Sequence, residues 1–414
     1  MKVAIAAPHG RAGTCEPWEE LFARRTRAGV GAEIAEIIAQ SSAPGVISFS
    51  GGFPDPSTFP AAALGDLLDK VSRDPAAVQY APSGGLPGTR EWLRDRLGHL
   101  EGRRPEESEL IVTSGGIEGL QLVSRSLLDP GDLVVVEAPS YLGAIMAFRG
   151  FEAEVAGVPL DDEGMDVGAL ARLLAARRPK LVYTIPDFQN PAGVSMATGR
   201  RAELVELARR HGVLVVEDVA YRELGFGGAR RPSLWALGPE VTVQLGTFSK
   251  TFTPGFRMGW AAGPPAVVAQ LLVAKQTSDQ CTGAFGQRLL EELGRSGQLD
   301  RSVEVARRLY AGRWGRLRPA LERFLPEAAS FSRPGGGFFT WVTVPGRDTS
   351  ALAGAALANG VAYVPGAHFY ADGRGGDQLR LSFSNLADDE TELGAKRLGE
   401  VLAGTGGAAR TTVS

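Results

Sequence analysis

The sequence contains few cysteines and no long apolar run. Two of its 414 residues are cysteines, Cys15 and Cys281, and two cannot build a disulfide scaffold. No CxxC pair or His/Cys cluster indicates a metal site. No stretch reaches the roughly 18 apolar residues that a membrane-spanning helix needs, and the apolar start of the chain is too short for a signal peptide. These absences predict a cytoplasmic protein without a metal ion.

The chain also lacks an excess of charge of either sign. Its formal net charge is −3, with 44% hydrophobic and 22% charged residues, which is ordinary for a globular protein. This balance gives no electrostatic reason to expect nucleic acid or an anionic membrane as a partner. The length predicts two or three domains, because a domain typically has about 100–200 residues.

Short apolar runs alternate with helical patterns in the middle of the chain. The runs are 133–139, 181–186, 213–219 and 241–248, and the clearest helical patterns are 119–128 and 199–211. The first three runs are almost continuously apolar, which is typical of parallel strands that are covered on both faces. The alternation predicts an α/β doubly wound domain with a mostly parallel sheet at 65–290.

The two ends of the chain have a different pattern. Residues 1–64 predict an N-terminal arm with an irregular loop at 49–60, where three prolines exclude a helix interior or a central strand. After about Asp300, an Arg-rich amphipathic helix and two β-type segments predict a smaller α+β domain at 291–405, with which the arm is grouped. Residues 406–414 are predicted to be a disordered tail.

Polar and reactive side chains follow the predicted strands, which is where ligands bind in an open α/β sheet. They are Tyr141 after the first run, Asn190 after the second, Asp218 near the end of the third with Tyr221 after it, and Thr247 near the end of the fourth with Ser249, Lys250 and Arg257 after it. The pair Gly115 and Gly116 opens a helix after an earlier apolar segment. Each of these alone has an ordinary explanation, such as a helix cap or a turn. Together they indicate one site at the strand ends.

This set matches what chemistry with pyridoxal 5'-phosphate (PLP) requires. A primary amine must form a Schiff base with the cofactor aldehyde and then carry a proton. A carboxylate must keep the pyridine nitrogen protonated, an aromatic ring must stack on the cofactor, and hydrogen-bond donors must reach its phenolate oxygen. A helix N-terminus, hydroxyl groups and an arginine suit the phosphate.

The chain resembles the fold-type-I, class I and II aminotransferases, which depend on PLP, and within them the kynurenine/2-aminoadipate branch. The resemblance runs from about Trp18 to Leu402. It rests on SFSGGFPDPSTFP, QYAPSGGLPGTREWL, VTSGGIEGLQL, EAPSYLGAI, YTIPDFQNPAG, VVEDVAYREL, TFSKTFTPGFRMGW, PGGGFFTWV and LRLSFSN, of which TFSKTFTPGFRMGW and DFQNPAG are the most specific. It implies a large PLP-binding domain with a smaller α+β domain, a homodimer, and transfer of an amino group between an α-amino acid and a 2-oxo acid.

The resemblance implies that five side chains bind the cofactor around its ring. Lys250 would form the Schiff base, and Asp218 would pair with the pyridine nitrogen. Asn190 and Tyr221 would hold the phenolate oxygen, while Tyr141 would stack on the ring. Lys250, Asp218 and Tyr141 are therefore the predicted catalytic residues.

The resemblance also implies partners for the phosphate and the substrate. The phosphate would be bound by Thr247, Ser249, Arg257 and the backbone of Gly116 and Ile117. Tyr80 is similar to a residue that reaches the phosphate in the neighbouring subunit's site. Arg380 would hold the substrate α-carboxylate as a bidentate fork, a task that lysine does less well. Asn190 would also contact the substrate, and Gly52 would cover it.

The chain departs from the family pattern at two places. Relatives often have Ser-Gln-Gln where this chain has Gly116, Ile117 and Glu118. Backbone amides can still bind phosphate, and Glu118 is either a favourable acid in the first turn of a helix or a functional group. Relatives that handle dicarboxylates tend to have Ile-Arg-Glu where residues 34–36 are Ile-Ala-Glu, which makes 2-aminoadipate or glutamate a weaker expectation. His368 lies on a loop that the family places near the mouth of the site.

Two other functions stay open on the sequence alone. The same fold supports β-elimination, decarboxylation or oxidative deamination of an amino acid, because pocket orientation decides which bond breaks. An aminotransferase-like ligand sensor would need an added DNA-binding domain. The roughly 40 residues before the glycine loop have no basic helix-turn-helix pattern, which argues against a sensor.

Overall fold

The computed structural model describes residue 18 and residues 21–27, 44–227 and 230–404. The N-terminal run at 34–36 and the predicted tail at 406–414 lie outside these residues. The strands are β1 (Ile47–Ser48), β2 (Leu110–Thr113), β3 (Leu133–Ala138), β4 (Glu154–Asp161), β5 (Gly164–Met165), β6 (Leu181–Thr184), β7 (Leu214–Asp218), β8 (Thr242–Thr247), β9 (Gly259–Ala262), β10 (Ser330–Phe331), β11 (Phe339–Thr343), β12 (Val361–Ala362), β13 (Val364–Pro365) and β14 (Gln378–Ser382). The helices are α1 (Arg24–Arg27), α2 (Ala61–Ser72), α3 (Pro75–Val78), α4 (Pro87–Glu101), α5 (Gly116–Leu127), α6 (Leu142–Gly150), α7 (Val167–Ala176), α8 (Thr198–His211), α9 (Leu234–Leu237), α10 (Pro265–Gln276), α11 (Ala284–Arg295), α12 (Gln298–Phe324), α13 (Thr349–Ala358) and α14 (Thr391–Ala403).

Eight strands form a central sheet in the order β2-β9-β8-β7-β6-β3-β4-β5. Strands β3, β4, β6, β7 and β8 pair in parallel. Strand β9 runs antiparallel between β2 and β8, and β5 runs antiparallel to β4. The predicted α/β architecture with a mostly parallel sheet is thus confirmed. The carboxyl ends of the parallel strands all meet at one edge of this sheet.

The apolar runs are continuous because the sheet is covered on both faces. Successive side chains of a strand point to opposite faces. In β3, Val134 and Val136 pack into one buried cluster while Val135 packs into another. In β6, Tyr183 belongs to the first cluster and Val182 to the second. Each face therefore has its own core, so most positions in these strands are apolar, with Glu137 and Thr184 as buried polar exceptions.

Two helices follow the pattern that the sequence predicted, with small differences at their ends. Helix α8 starts at Thr198 and ends before Gly212, which adopts a left-handed conformation with φ 62°. Helix α5 begins at Gly116, three residues before the helical pattern of the sequence. The reason is that a helix's first turn needs no apolar face, so hydrophobic periodicity misses it.

A second, antiparallel sheet has the strand order β10-β11-β14-β13. The long helix α12 contacts α14 beside it. The N-terminal arm joins this region, because β1 pairs in parallel with β12 and the Phe49 N–H donates to the Ala362 carbonyl at 2.8 Å. The sequence-derived boundaries at 64/65 and 290/291 fall inside α2 and α11, so the exact domain limits remain a prediction.

None of the described helices is long and apolar enough to span a membrane. In the same part of the chain, no group of three His, Cys, Asp or Glu side chains is arranged to hold a metal ion. Cys281 is a free thiol.

Candidate active site

A cavity of about 270 Å³ opens at the carboxyl ends of the parallel strands. It is lined by all but one of the predicted site residues: Gly52, Gly116, Ile117, Tyr141, Asn190, Asp218, Tyr221, Thr247, Ser249, Lys250, Arg257 and Arg380. A larger cavity, of about 1230 Å³, contains none of them. We therefore take the smaller cavity as the candidate active site, because reactive groups converge there.

Lys250 places its amine inside this cavity. It lies three residues after β8, and its Nζ donates a 2.7 Å hydrogen bond to the carbonyl oxygen of Gly52. Burial lowers the pKa of Lys250 to about 8, the cations of Arg380 and Arg257 act in the same direction, and Asp218 opposes them. The lowered pKa increases the share of neutral amine near physiological pH, and the neutral form is the one that acts as a nucleophile or a base.

Asp218 ends β7 as a buried carboxylate. The Tyr183 hydroxyl donates to its Oδ2 at 2.9 Å, and the Ala220 N–H donates to its Oδ1 at 3.1 Å. Burial raises the pKa of Asp218, whereas the Tyr183 hydrogen bond and then the Ala220 N–H and Lys250 lower it. Sequence reasoning missed Tyr183, because a tyrosine inside an apolar run reads as a core residue.

Arg380 reaches the cavity from β14 of the second sheet. Its Nη1 donates to Asn190 Oδ1 at 3.0 Å, and its Nη2 donates to the Ser50 carbonyl at 2.6 Å. The guanidinium carbon lies 4.3 Å from the centre of the Phe339 ring and 4.9 Å from that of Phe369. Burial lowers the pKa of Arg380 to about 10. The buried Nε has no hydrogen-bond partner in the described parts of the chain.

Two tyrosines form the aromatic wall of the cavity. Tyr221 is buried, and its ring meets Phe338 and Phe339 edge-on at 5.4 and 5.6 Å between centroids. Burial raises its pKa, and a hydrogen bond with Asn190 opposes that rise. Tyr141 is half-buried just before α6, and burial raises its pKa to about 12. Both hydroxyl groups therefore stay protonated and can donate hydrogen bonds at neutral pH.

The start of α5 forms the anion-binding end of the cavity. Gly115 caps the helix with φ 98° and no side-chain cap, which leaves the first amides of the helix available. Arg257 Nη1 donates to Ser249 Oγ at 3.1 Å, and Thr247 Oγ1 donates to the same oxygen at 3.0 Å. A Cβ at position 115 would lie 2.7 Å from Arg257 Nη2, so this close approach needs glycine. Free amides, two hydroxyls and a guanidinium are a donor set that fits a phosphate.

A glycine also allows the N-terminal loop to cover the cavity. A Cβ at Gly52 would lie 2.7 Å from Cζ of Phe339. The absence of a side chain lets the loop backbone approach the second sheet, and it places the Gly52 carbonyl against Lys250 Nζ at 2.7 Å.

A buried glutamate that sequence reasoning missed supports the loop carrying Asn190. Glu137, near the end of β3, accepts hydrogen bonds from Gln189 Nε2 at 2.8 Å, Thr184 Oγ1 at 2.5 Å and the Ile185 N–H at 3.3 Å. Burial raises the pKa of Glu137 to about 7, and these donors limit the rise. The only sequence signal for it is an acid within an otherwise apolar run.

Three residues that the sequence singled out lie away from the cavity lining. The Tyr80 side chain is 79% exposed, and its predicted reach into a partner's site remains a prediction. His368 lines a separate cavity with Arg149 and Tyr370. Glu118 lies in the first turn of α5 and pairs with a lysine behind that helix.

Comparison with known proteins shows that the chain is similar to aminotransferases. Residues 45–398 match the family described as aminotransferase class I and II. The chain is 38% identical to aromatic-amino-acid aminotransferase 1 of Thermococcus litoralis, over 93% of this chain and 94% of that protein. It is 37% identical to 2-aminoadipate transaminase of Thermus thermophilus, over 94% and 98% of the two chains. The crystal structure of Pyrococcus horikoshii kynurenine aminotransferase with PMP superposes on this chain with a TM-score of 0.90. The two sequences are 38% identical, and the match covers 94% of this chain and 98% of that protein.

Proposed function

The chain belongs to the class I and II aminotransferases and is a PLP-dependent aminotransferase, and from this premise we propose the role of each side chain in its active site. The enzyme transfers an amino group between an α-amino acid and a 2-oxo acid. Bound PLP supplies an aldehyde that links to amines and a ring that withdraws electrons from the substrate. The observation that carries the proposal is the meeting of Lys250, Asp218, Arg257 and Arg380 in one cavity.

Lys250 is the amine that attaches PLP covalently and later carries the proton of the substrate Cα. Its lowered pKa of about 8 supports both tasks, because the neutral amine is the form that attacks an aldehyde and accepts a proton. The hydrogen bond to the Gly52 carbonyl orients the amine toward the cavity. The Tyr183 hydroxyl and the Ala220 N–H donate to Asp218 and favour its ionised form, in which it would hold the pyridine nitrogen of PLP protonated.

The remaining side chains bind the two ends of the cofactor. Asn190 and Tyr221 would donate to its phenolate oxygen, and Tyr141 would contact its ring. Thr247, Ser249 and Arg257 bind the phosphate together with the amides of Gly116 and Ile117. The support for this assignment is the chemistry of the cavity wall, in which every donor set matches one part of PLP.

Arg380 binds the substrate α-carboxylate. Its guanidinium makes no ion pair within the described residues and is held only by the neutral oxygens of Asn190 and Ser50. A carboxylate that reaches the cavity can displace the weaker of these contacts and form a charge-assisted pair. The aromatic rings of Phe339 and Phe369 exclude water from this pair.

The preferred substrates have an apolar or aromatic side chain. Lys250, Arg257 and Arg380 are the cations that line the cavity in the described part of the chain, and each already has a role. The rest of the wall that a substrate side chain can meet is apolar: Phe53, Ile117, Leu142, Phe339 and Phe369. Among the described residues, a distal carboxylate would therefore find no cation to pair with. This wall favours aromatic amino acids, which the name of the Thermococcus litoralis relative gives as substrates, over 2-aminoadipate, which the name of the Thermus thermophilus relative gives.

The enzyme is a homodimer, and it functions in the cytoplasm. Its low cysteine content supports the cytoplasmic location. The support for the dimer is the exposure of two large side chains close together in the chain, with Tyr80 79% and Val78 69% exposed. A second copy would cover them and bring Tyr80 to its partner's phosphate.

An experiment without an amino-group acceptor tests the reaction and the substrate class together. We expect the enzyme with phenylalanine or leucine to release one equivalent of 2-oxo acid per active site and then stop until a 2-oxo acid is added. Glutamate and 2-aminoadipate should react at least about tenfold more slowly, since a buried unpaired carboxylate costs more than 1.4 kcal/mol. Continuous release of ammonia or carbon dioxide would instead indicate elimination, oxidative deamination or decarboxylation.

A further inference from the structure

A buried lysine lies behind the turn that starts α5. The Lys275 side chain is 0% exposed in the last turn of α10. Its Nζ donates to both carboxylate oxygens of Glu118, at 2.8 and 2.9 Å, and to both of Asp279, at 2.9 Å each. One cation therefore faces two carboxylates in a place that no step of the proposed reaction uses.

The cluster is bonded directly to the phosphate-binding turn through Ser114. The Ser114 N–H donates to Glu118 Oε2, and its Oγ donates to Asp279 Oδ2 at 2.7 Å. Ser114 is followed at once by Gly115 and by Gly116, which lines the cavity. Any change in the charge or position of the two carboxylates thus acts on the phosphate end of the site.

Glu118 creates an electrostatic conflict that Lys275 can resolve. Glu118 lies one residue beyond Ile117, which lines the cavity, in the first turn of the same helix. A phosphate at that turn carries nearly two negative charges, and like charges repel strongly where water is largely excluded. Burial raises the pKa of Glu118, and its hydrogen bonds with Lys275 and then with the Ser114 N–H lower it.

We propose that Lys275 neutralises Glu118 behind the phosphate-binding turn and so allows this chain to bind a phosphate dianion beside an acidic helix start. The proposal rests on the proposed phosphate site. It concerns a positioning residue, because Lys275 does not line the cavity and touches neither cofactor nor substrate.

The test compares the PLP affinity of four proteins, measured by equilibrium dialysis of the holoenzyme and absorbance of the released PLP. They are the wild type, Lys275→Met, the double variant Lys275→Met with Glu118→Gln, and the control Lys180→Met. Lys180 pairs with Asp132 at 3.3 Å on the surface and is 49% exposed, so the control should bind PLP as the wild type does. Thermal unfolding of each variant reports general loss of stability separately.

We expect Lys275→Met to weaken PLP binding by about tenfold or more, because Glu118 is left buried and uncompensated. Adding Glu118→Gln should restore most of the affinity, since the remaining acid, Asp279, is 31% exposed and water can solvate it. An affinity of Lys275→Met within twofold of the wild type would overturn the proposal. So would a double variant that binds PLP as weakly as the single one.

Two further variants keep the test decisive. If Lys275→Met does not fold, Glu118→Gln alone should bind PLP as tightly as the wild type or more tightly, and a tenfold loss would refute the electrostatic role. Arg257→Gln tests the underlying phosphate site separately. An unchanged PLP affinity in that variant would reject the phosphate site itself, whatever Lys275 does.

Discussion

Nη1 of Arg380 donates a 3.0 Å hydrogen bond to Oδ1 of Asn190. Arg380 lies in β14, between β11 and β13 of the second sheet, whereas Asn190 follows β6 of the central sheet. The bond therefore joins the two sheets in the wall of the cavity. Because Asn190 is neutral, the charge of Arg380 stays available for an anionic substrate.

Replacing Arg380 should weaken the binding of every amino acid substrate by a similar factor. We expect Arg380→Ala to raise KM by an amount equivalent to about 2–5 kcal/mol, the usual loss when one partner of a buried charge pair is removed. Steady-state kinetics with three donors measures it. Arg374→Ala is the control, because Arg374 is 50% exposed and pairs with Asp372 at 3.3 Å. An unchanged KM would mean that the carboxylate is bound elsewhere.

Lys250 should be the residue to which PLP is attached. Lys250→Ala is expected to stop turnover and to leave no PLP fixed to the protein after borohydride reduction, as read by mass spectrometry. Lys180→Ala should retain both properties, since that lysine lies on the surface. Fixation of PLP to another lysine at the wild-type level would reject the assignment.

The attachment of PLP should depend on pH through the same amine. The pKa of Lys250 is about 8, and only the neutral amine reacts, so the rate of attachment to apoprotein should rise with pH with a midpoint near pH 8. Arg380 contributes to this low pKa as a neighbouring cation. Arg380→Met should accordingly raise the pKa of Lys250 and move the midpoint to higher pH. A midpoint that moves down would contradict this account.

Removing the Tyr183 hydroxyl should narrow the active pH range from the acid side. Tyr183 lowers the pKa of Asp218 by a 2.9 Å hydrogen bond, so in Tyr183→Phe that pKa rises and the ionised carboxylate is lost at higher pH. We expect the acid limb of the kcat profile to move up by about one pH unit or more. The variant should unfold within a few degrees of the wild type. An unshifted acid limb would show that Tyr183 acts only in packing.

Tyr80 should act across the interface of a dimer. We expect light scattering to give twice the chain mass, and Tyr80→Phe to weaken PLP retention more than it lowers kcat, because the lost contact is to phosphate. Tyr370→Phe is a control, since its hydroxyl bonds Gln378 at 2.7 Å within the same chain. A fully active monomer would exclude the role.

Much of the site could be predicted from the sequence because its residues lie at the ends of strands that the apolar pattern reveals. Continuous apolar runs indicate strands covered on both faces, and parallel strands bring their carboxyl ends to one edge. Tyr141 and Asn190 follow such runs, Asp218 ends one, Lys250 follows strand β8, and all four line the same cavity. The resemblance to a family predicted the cofactor and the reaction, and both expectations are confirmed.

Other parts could not be predicted because their signals are ambiguous. Tyr183 and Glu137 lie inside apolar runs. In such a run a tyrosine is interpreted as a core residue, and the sequence does not indicate which residue an isolated acid would pair with. Lys275 and Glu118 are 157 positions apart, and neither position alone indicates that they meet.

The sequence by itself determined the main parallel strands and several of the helices, the edge of the sheet that carries the chemistry, and the residue types found there. These properties are local, because they depend on the spacing of apolar side chains and on the residue that follows each run. Only the tertiary structure decided that β9 runs antiparallel between β2 and β8, that Arg380 bonds Asn190, and that Lys275 pairs with Glu118. The place of β9 depends on backbone pairing with β2, which is distant in the chain. The Arg380–Asn190 and Lys275–Glu118 contacts also join distant segments, and such buried groups need partners because the packed elements exclude water.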